Sequence, residues 1–178
     1  HHGGYLQTDS ERRAYWRERL EALGAGRKIG ISWRGGAVST RRELRSIPLE
    51  QWLPLLSQAS CHFVSLQYGD NGEESGRFTR EHGIPVHHWQ RAIDDFDETA
   101  ALIAGLDLII SVQTAVAHLS GALGKATWVL IPAVPEWRYL QTGDTMPWYP
   151  SVRLFRQQQG DGWIPVITGI AQRLSVHP

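Results

Sequence analysis

Short apolar runs alternate along this chain with polar stretches of helical length, and that spacing sets the expected fold. Residues 9–23 place Ala14, Leu20 and Leu23 among many charges and stop at Gly24, as a solvent-facing lead-in helix does. The run 28–33, Lys-Ile-Gly-Ile-Ser-Trp, reads as a buried strand, after which Arg34, Gly35 and Gly36 open a polar loop lasting to Ser46. Pro48 then starts a helix over 49–58 carrying Trp52, Leu53, Leu55 and Leu56, followed by a strand over 62–68 and a turn over 69–72. A short polar helix over 73–82, closed by Gly83, and a short strand over 85–89 come next. Asp95, with Glu98 three residues on, has the capping-box spacing ahead of an apolar helix over 99–106. A strand over 108–112, a small-residue helix over 114–123 ended by Gly124 and a strand over 126–131 follow. Beyond them lie a loop dense in Pro and Trp over 132–150, a strand over 152–155 and a helix over 163–174.

Strands alternating with helices predict an α/β domain, a Rossmann-like, mainly parallel sheet with helices on both faces. The 178 residues suit one domain over 3–178; His1 and His2 resemble the end of a purification tag and are set aside. Such sheets bind ligands at the carboxyl ends of their strands, so the loops after Trp33, Tyr68, Val112 and Ile131 should open on one common edge.

Composition narrows the partners. Lys plus Arg equals Asp plus Glu at 18 each, without long blocks of one sign, so the charge pattern carries no footprint for nucleic acid or an anionic membrane. No apolar run approaches the roughly 20 residues that span a bilayer, and the N-terminus lacks a signal-peptide plan. Cys61 is the only cysteine and has no partner for an internal disulfide, which favours a reducing compartment. Cytoplasm is the default location.

The segment richest in chemistry is 107–125. A buried strand ends in the polar residues Ser111, Gln113 and Thr114, and the next helix opens with Ala115 and other small residues. Its free N–H groups are thus approachable by an anion such as diphosphate. His118, four residues after Thr114, projects from the first turn and can reach phosphate or sugar oxygens. The competing reading makes Thr114 a cap, the small residues packing aids and His118 a satisfied interior histidine.

The run Ser111-Val-Gln-Thr-Ala-Val-Ala-His118, with Gly121-Ala-Leu-Gly124 and the strand ending at Pro132, resembles the hallmark of the bacterial heptosyltransferase-like family, the family 9 glycosyltransferases. It is especially similar to the branch fused behind tetratricopeptide repeats. Gly30-Ile-Ser-Trp33, Arg45-Ser-Ile-Pro-Leu49, Phe63-Val-Ser-Leu-Gln67, Asp97-Glu-Thr-Ala-Ala-Leu-Ile103 and Trp148-Tyr-Pro-Ser151 support the likeness, which covers about residues 28–165 in the expected order. The resemblance implies a GT-B fold of two Rossmann-like halves, of which this chain matches the C-terminal, donor-binding half. It also implies transfer of a sugar from a nucleotide-diphosphate sugar to an unknown glycan or protein acceptor. The catalytic base would then lie in an N-terminal half outside this sequence, leaving the fragment alone inactive. One departure stands out: the family usually has Asp, accepting hydrogen bonds from sugar hydroxyls, where this chain has Gln113. An amide accepts and donates but carries no charge.

Arg34, Gly35 and Gly36 suit a phosphate cradle, because two glycines admit close approach and an arginine forks onto phosphate; Arg45 matches the family's basic position. The alternative is a solvated arginine and a flexible turn. Gln67 either meets donor atoms or is a polar residue at the sheet edge. Asp95-Phe-Asp97 is better explained by helix capping than by a metal motif, and His87 and His88 point to opposite faces of a strand, so no metal or cofactor is expected. Of eight tryptophans, Trp137 and Trp148 lie in the long loop, placed either to stack on a base or sugar or to pack the loop itself. A rival from another class is a catalytically degenerate nucleotide- or protein-binding module, which Gln113 favours. An NAD-dependent oxidoreductase is disfavoured by the absence of Gly-x-Gly-x-x-Gly after the first strand.

Overall fold

A computed structural model describes residues 4–36, 42–69 and 72–176. Parts of the predicted polar loop, 37–41, and of the predicted turn, 70–71, lie outside the described residues. The elements, in order, are α1 (Ser10–Glu21), β1 (Arg27–Ser32), α2 (Leu53–Leu56), β2 (Cys61–Ser65), α3 (Glu73–His82), β3 (Val86–His87) and α4 (Gln90–Asp94). They continue with α5 (Phe96–Gly105), β4 (Leu108–Val112), α6 (Ala115–Ala122), β5 (Thr127–Ile131), β6 (Val152–Arg156) and α7 (Ile164–Val176).

Among the described residues, six strands form one parallel sheet in the order β3-β2-β1-β4-β5-β6. That is the doubly wound Rossmann order, with its switch point between β1 and β4, where successive connections leave on opposite faces. All five residues of β4 are buried, as a central parallel strand covered on both sides requires. Ile29, Ile31 and Trp33 pack with residues of α2, α3 and α7 on one face. Val64, Leu66 and Ile109 pack with α1, α5 and α6 on the other.

Three elements differ from the sequence expectation. The helix expected over 49–58 is a 3-10 turn, Leu49–Trp52, running into a single α turn, α2. Pro54 has no N–H to offer the Glu50 carbonyl, which instead accepts from Leu53 three residues on. Helix α4 was not foreseen: with only Ala92 and Ile93 buried, it is too short to display a period. Helix α1 is not simply solvent-facing, because Trp16 and Leu20 are buried and seat it on the sheet.

Asp95 caps α5 through the N–H groups of Asp97 and Glu98. Glu98 does not complete the reciprocal half of a capping box. Its buried carboxylate accepts from Trp16 Nε1 at 2.7 Å and from Arg91 at 2.8 Å, and Arg12 lies at 3.4 Å. The residue thus joins α1, α4 and α5.

Candidate functional site

At the carboxyl edge of the sheet, the loops after β1, β2, β4 and β5 surround a cavity of about 950 Å³. They therefore share one edge, as expected. The cavity straddles β1 and β4, the switch point of the sheet.

The loop after β1 supplies Arg34, Gly35 and Gly36, then returns through a 3-10 turn, Arg42–Arg45. Its base is closed by the Ile47 N–H donating to the Trp33 carbonyl at 2.9 Å, and the Gly35 N–H donates to Ser46 Oγ at 3.1 Å. A side chain at Gly35 would put its Cβ 3.0 Å from Arg45 Cβ, so glycine is what lets the two arms of the loop touch. Gly36 faces open space.

Arg45 is thereby driven inward to 7% exposure, rare for an arginine without partners. Its guanidinium donates to the Gln113 carbonyl at 2.9 Å and pairs with Glu136 at 2.8 Å. Arg34 pairs with Glu74 at 2.9 Å, while its buried Nε has no hydrogen-bonding partner.

Gln67 lines the cavity, but its amide is occupied. Its Oε1 accepts from the N–H groups of Trp33 at 2.9 Å and Arg34 at 2.8 Å and from Ser32 Oγ at 3.3 Å, and its Nε2 donates to the Tyr68 carbonyl. Gln67 fixes the path of the chain leaving β1, so its contribution is to shape the cradle.

Gln113 is the opposite case. It is 1% exposed and lines the cavity, and both polar atoms of its amide lack a hydrogen-bonding partner. Burying an unpaired amide costs about 1–3 kcal/mol, so the amide is open to a hydrogen-bonding group that enters the cavity. Beside it begins α6. Thr114 makes no side-chain cap; its Oγ1 lies 3.1 Å from Ser111 Oγ instead. The first turn, with Ala115 and Val116 on the cavity wall, thus presents an uncapped positive helix end to the cavity.

His118 is half-buried on the same wall, with Nε2 3.3 Å from the Tyr139 hydroxyl. Burial, and next the positive Arg138, push its pKa below the ordinary imidazole range, against a smaller opposing effect of Glu136. The ring is therefore neutral at pH 7, able to donate through one nitrogen and accept through the other. Burial raises the Tyr139 phenol, which stays protonated.

Sequence reasoning singled out the loop after β5 for its tryptophans and missed its charged residues. Glu136 and Arg138 both line the cavity, and the Glu136 carboxylate bridges Arg45 and, at 3.6 Å, Arg138. Trp137 and Trp148 meet edge to face at 6.3 Å and both remain exposed; neither lines the cavity, and the Arg138 guanidinium lies 4.6 Å over the Trp137 ring. Their contacts are within the loop. Arg156, at the end of β6, organises this loop by donating to the carbonyls of Tyr139, Leu140, Thr142 and Gly143. Leu140 holds φ 56°, a left-handed conformation costly for leucine, so the loop needs such support. Replacing Arg156 by alanine is expected to speed amide hydrogen exchange selectively across 137–143 while leaving β4 and β5 protected. Unchanged exchange in that loop would show that packing alone holds it.

Asp95 acts as a cap, in keeping with the reading of Asp95-Phe-Asp97, and among the described residues no three His, Cys, Asp or Glu side chains gather as metal ligands. No helix among them is long and apolar enough to cross a membrane.

No family model matches the chain. It is 38% identical over 174 residues to Protein FlbA of Caulobacter vibrioides, an alignment covering 96% of this chain and 28% of that protein. Solved structures share its fold, among them three glycosyl- or heptosyltransferases. A glycosyl transferase family 9 protein from Veillonella parvula superposes with a TM-score of 0.60 at 14% identity, over 87% of this chain and 43% of that one. The E. coli ADP-heptose lps heptosyltransferase II gives 0.59 at 17% identity, over 97% and 54%. The E. coli heptosyltransferase WaaC with ADP-2-deoxy-2-fluoro heptose gives 0.59 at 16% identity, over 96% and 49%. The chain therefore spans little more than a quarter of its curated relative and about half of each structural neighbour. Its fold is the Rossmann-like sheet with helices found in GT-B glycosyltransferases.

Proposed function

We propose that this domain binds the diphosphate of a nucleotide-diphosphate sugar and is the donor half of a glycosyltransferase. The observation that carries this reading is the buried, unpartnered Gln113 amide beside the uncapped start of α6, in a cavity also lined by Arg34, Arg42, Arg45 and Arg138. Helix N–H groups and guanidiniums bind the phosphates, and His118 donates to a phosphate or sugar oxygen. The Gln113 amide, in reach of both a donor and an acceptor, binds sugar hydroxyls in place of a carboxylate. During transfer, negative charge builds on the departing diphosphate, and dipoles and cations already aligned there lower the barrier. The likeness to heptosyltransferases supports the donor class, and the short span of the match supports a longer protein. Its other half, placed N-terminally and preceded by helical repeats, supplies the base that deprotonates the acceptor.

His118→Ala is expected to weaken nucleoside diphosphate binding by about tenfold, the loss of one hydrogen bond to a charged group, with little effect on the free nucleoside. Calorimetric titration of both ligands checks this, and equal losses for the two would contradict the phosphate-side role.

A second reading is favoured by Gln113 itself: with no carboxylate there, the domain binds nucleotide or a protein partner without chemistry. Donor consumption by the full-length protein, measured beside nucleotide binding, separates the two. Binding without acceptor-dependent turnover selects the second.

A further inference from the structure

We infer that Tyr139 is a positioning residue for His118: its buried hydroxyl donates to His118 Nε2, which places the ring proton on Nδ1 and makes the histidine a donor only. The inference deepens the phosphate-binding reading of the cavity and, for the contact with a ligand, rests on it. Tyr139 is 1% exposed, and among the described residues its hydroxyl meets one hydrogen-bonding partner, His118 Nε2 at 3.3 Å. A buried hydroxyl that only accepted there would leave its own proton unpaired, at a cost of about 1–3 kcal/mol, whereas a spare lone pair on oxygen costs less. Burial keeps the phenol protonated and the imidazole neutral, so the hydroxyl has a proton to give and the ring has a lone pair to receive it. The contact therefore has one direction.

The fold holds both partners in place. His118 packs against two tyrosine rings: Tyr139 lies 5.7 Å away at an interplanar angle of 51°, and Tyr149 lies 5.8 Å away, edge-on at 69°. One turn further along α6, Gly121 makes room for Tyr149, since a Cβ there would stand 2.4 Å from Tyr149 Cγ. The Tyr139 N–H donates to the Glu136 carbonyl at 3.0 Å, and its own carbonyl accepts from Arg156 at 2.6 Å. The hydroxyl is thus carried by a framed segment.

The consequence is chemical. With the proton on Nδ1 and the Nε2 lone pair engaged, neither nitrogen can take a proton from an acceptor, so His118 serves as a hydrogen-bond donor and not as a base. Nδ1 has no hydrogen-bonding partner among the described residues, and the ring lines the cavity, which leaves Nδ1 as the nitrogen that meets a ligand. A hydrogen bond received at Nε2 also polarises the ring and strengthens donation from Nδ1. Without the tyrosine hydroxyl, the ring is free to take up both tautomers.

Long-range proton–nitrogen NMR on the histidine side chains at neutral pH reads the tautomer without any ligand, with the His118 signals assigned by their loss in His118→Ala. The parent is expected to show His118 as the Nδ1–H form. Tyr139→Phe, which keeps the ring and removes the hydroxyl, should give the averaged nitrogen shifts of exchanging tautomers. An Nε2–H form in the parent, or a tautomer that Tyr139→Phe leaves unchanged, would overturn the inference. Calorimetric titration with inorganic pyrophosphate then compares the parent, Tyr139→Phe, His118→Ala and the double variant, with thermal unfolding of each as the check on folding. Tyr139→Phe is expected to weaken binding by about threefold alone and to add nothing to His118→Ala, because it acts through that ring. Losses that multiply in the double variant would make Tyr139 a merely structural residue. If the parent binds no pyrophosphate, the phosphate-binding reading falls, and the NMR still decides whether Tyr139 sets the tautomer.

Discussion

Arg45→Ala is expected to weaken pyrophosphate binding by about 10- to 100-fold, the largest loss of any single cavity residue, because charge-assisted hydrogen bonds are worth about 1.5–3 kcal/mol. Arg45 is the most buried of the cavity arginines among the described residues and is already oriented by the Gln113 carbonyl and by Glu136, so little ordering remains to be done when a ligand arrives. The same change strands the Glu136 carboxylate beside Arg138 alone. Arg45→Lys should recover only part of the loss, since an ammonium does not reproduce the two-pronged fork. Calorimetry on the three chains, with unfolding curves to confirm the fold, measures this. A lysine variant equal to the parent would mean that Arg45 acts as a simple point charge, and an unimpaired alanine variant would remove it from the site.

Glu98→Ala is expected to cost about 2–3 kcal/mol of stability, because it removes the shared acceptor of Trp16, Arg91 and Arg12 and leaves the buried indole N–H unpaired. The pH dependence follows from the same contacts. Burial alone would raise the Glu98 pKa, but hydrogen bonds from Arg91 and Trp16 and the charges of Arg91 and Arg12 outweigh it, so the folded value lies below the ordinary 4.5. Arg12 first, then the Asp97 N–H, likewise lower Asp95. A carboxylate depressed in the folded state contributes stability that is fully present above its unfolded pKa and is lost as pH falls through the folded one. The chain should therefore hold its stability from neutrality down to about pH 5 and lose it progressively below that. Glu98→Gln should flatten the slope. Denaturant unfolding between pH 3 and 7 reads it, and identical slopes for parent and variant would assign acid sensitivity to other groups.

Much of this was legible along the chain because the signals were local. The run over 108–112 is apolar except for Ser111, and the small residues after Thr114 define the helix that follows, so the start of α6 and the candidates Gln113 and His118 could be read directly. Gln67 was left between two roles since nothing in sequence says where an amide points; contact with the end of β1, more than thirty residues upstream, decides it. The partner of Trp16 was not legible, because its hydrogen bond to Glu98 spans 82 positions. Glu136 and Arg138 were missed for a related reason. A charged residue in an irregular loop reads as solvated until the loop is folded, and what folds this one is Arg156 at the end of another strand. The rule that ligands meet the loops at strand ends pointed to a loop that lines the cavity, and attention then fell on its aromatic residues.

Amide NMR shifts on titration with pyrophosphate test the central claim most directly, because they report where the anion binds as well as whether it does. The account predicts saturable changes concentrated on Gln113, Thr114, Ala115, Val116 and His118, with a second group at Arg34, Gly35, Gly36 and Arg45, and near silence at the opposite end of the sheet around Asp107 and Lys125. Changes confined to that opposite end, or none up to about 10 mM, a concentration at which even the feeblest specific binding would show, would contradict a diphosphate site at the switch point.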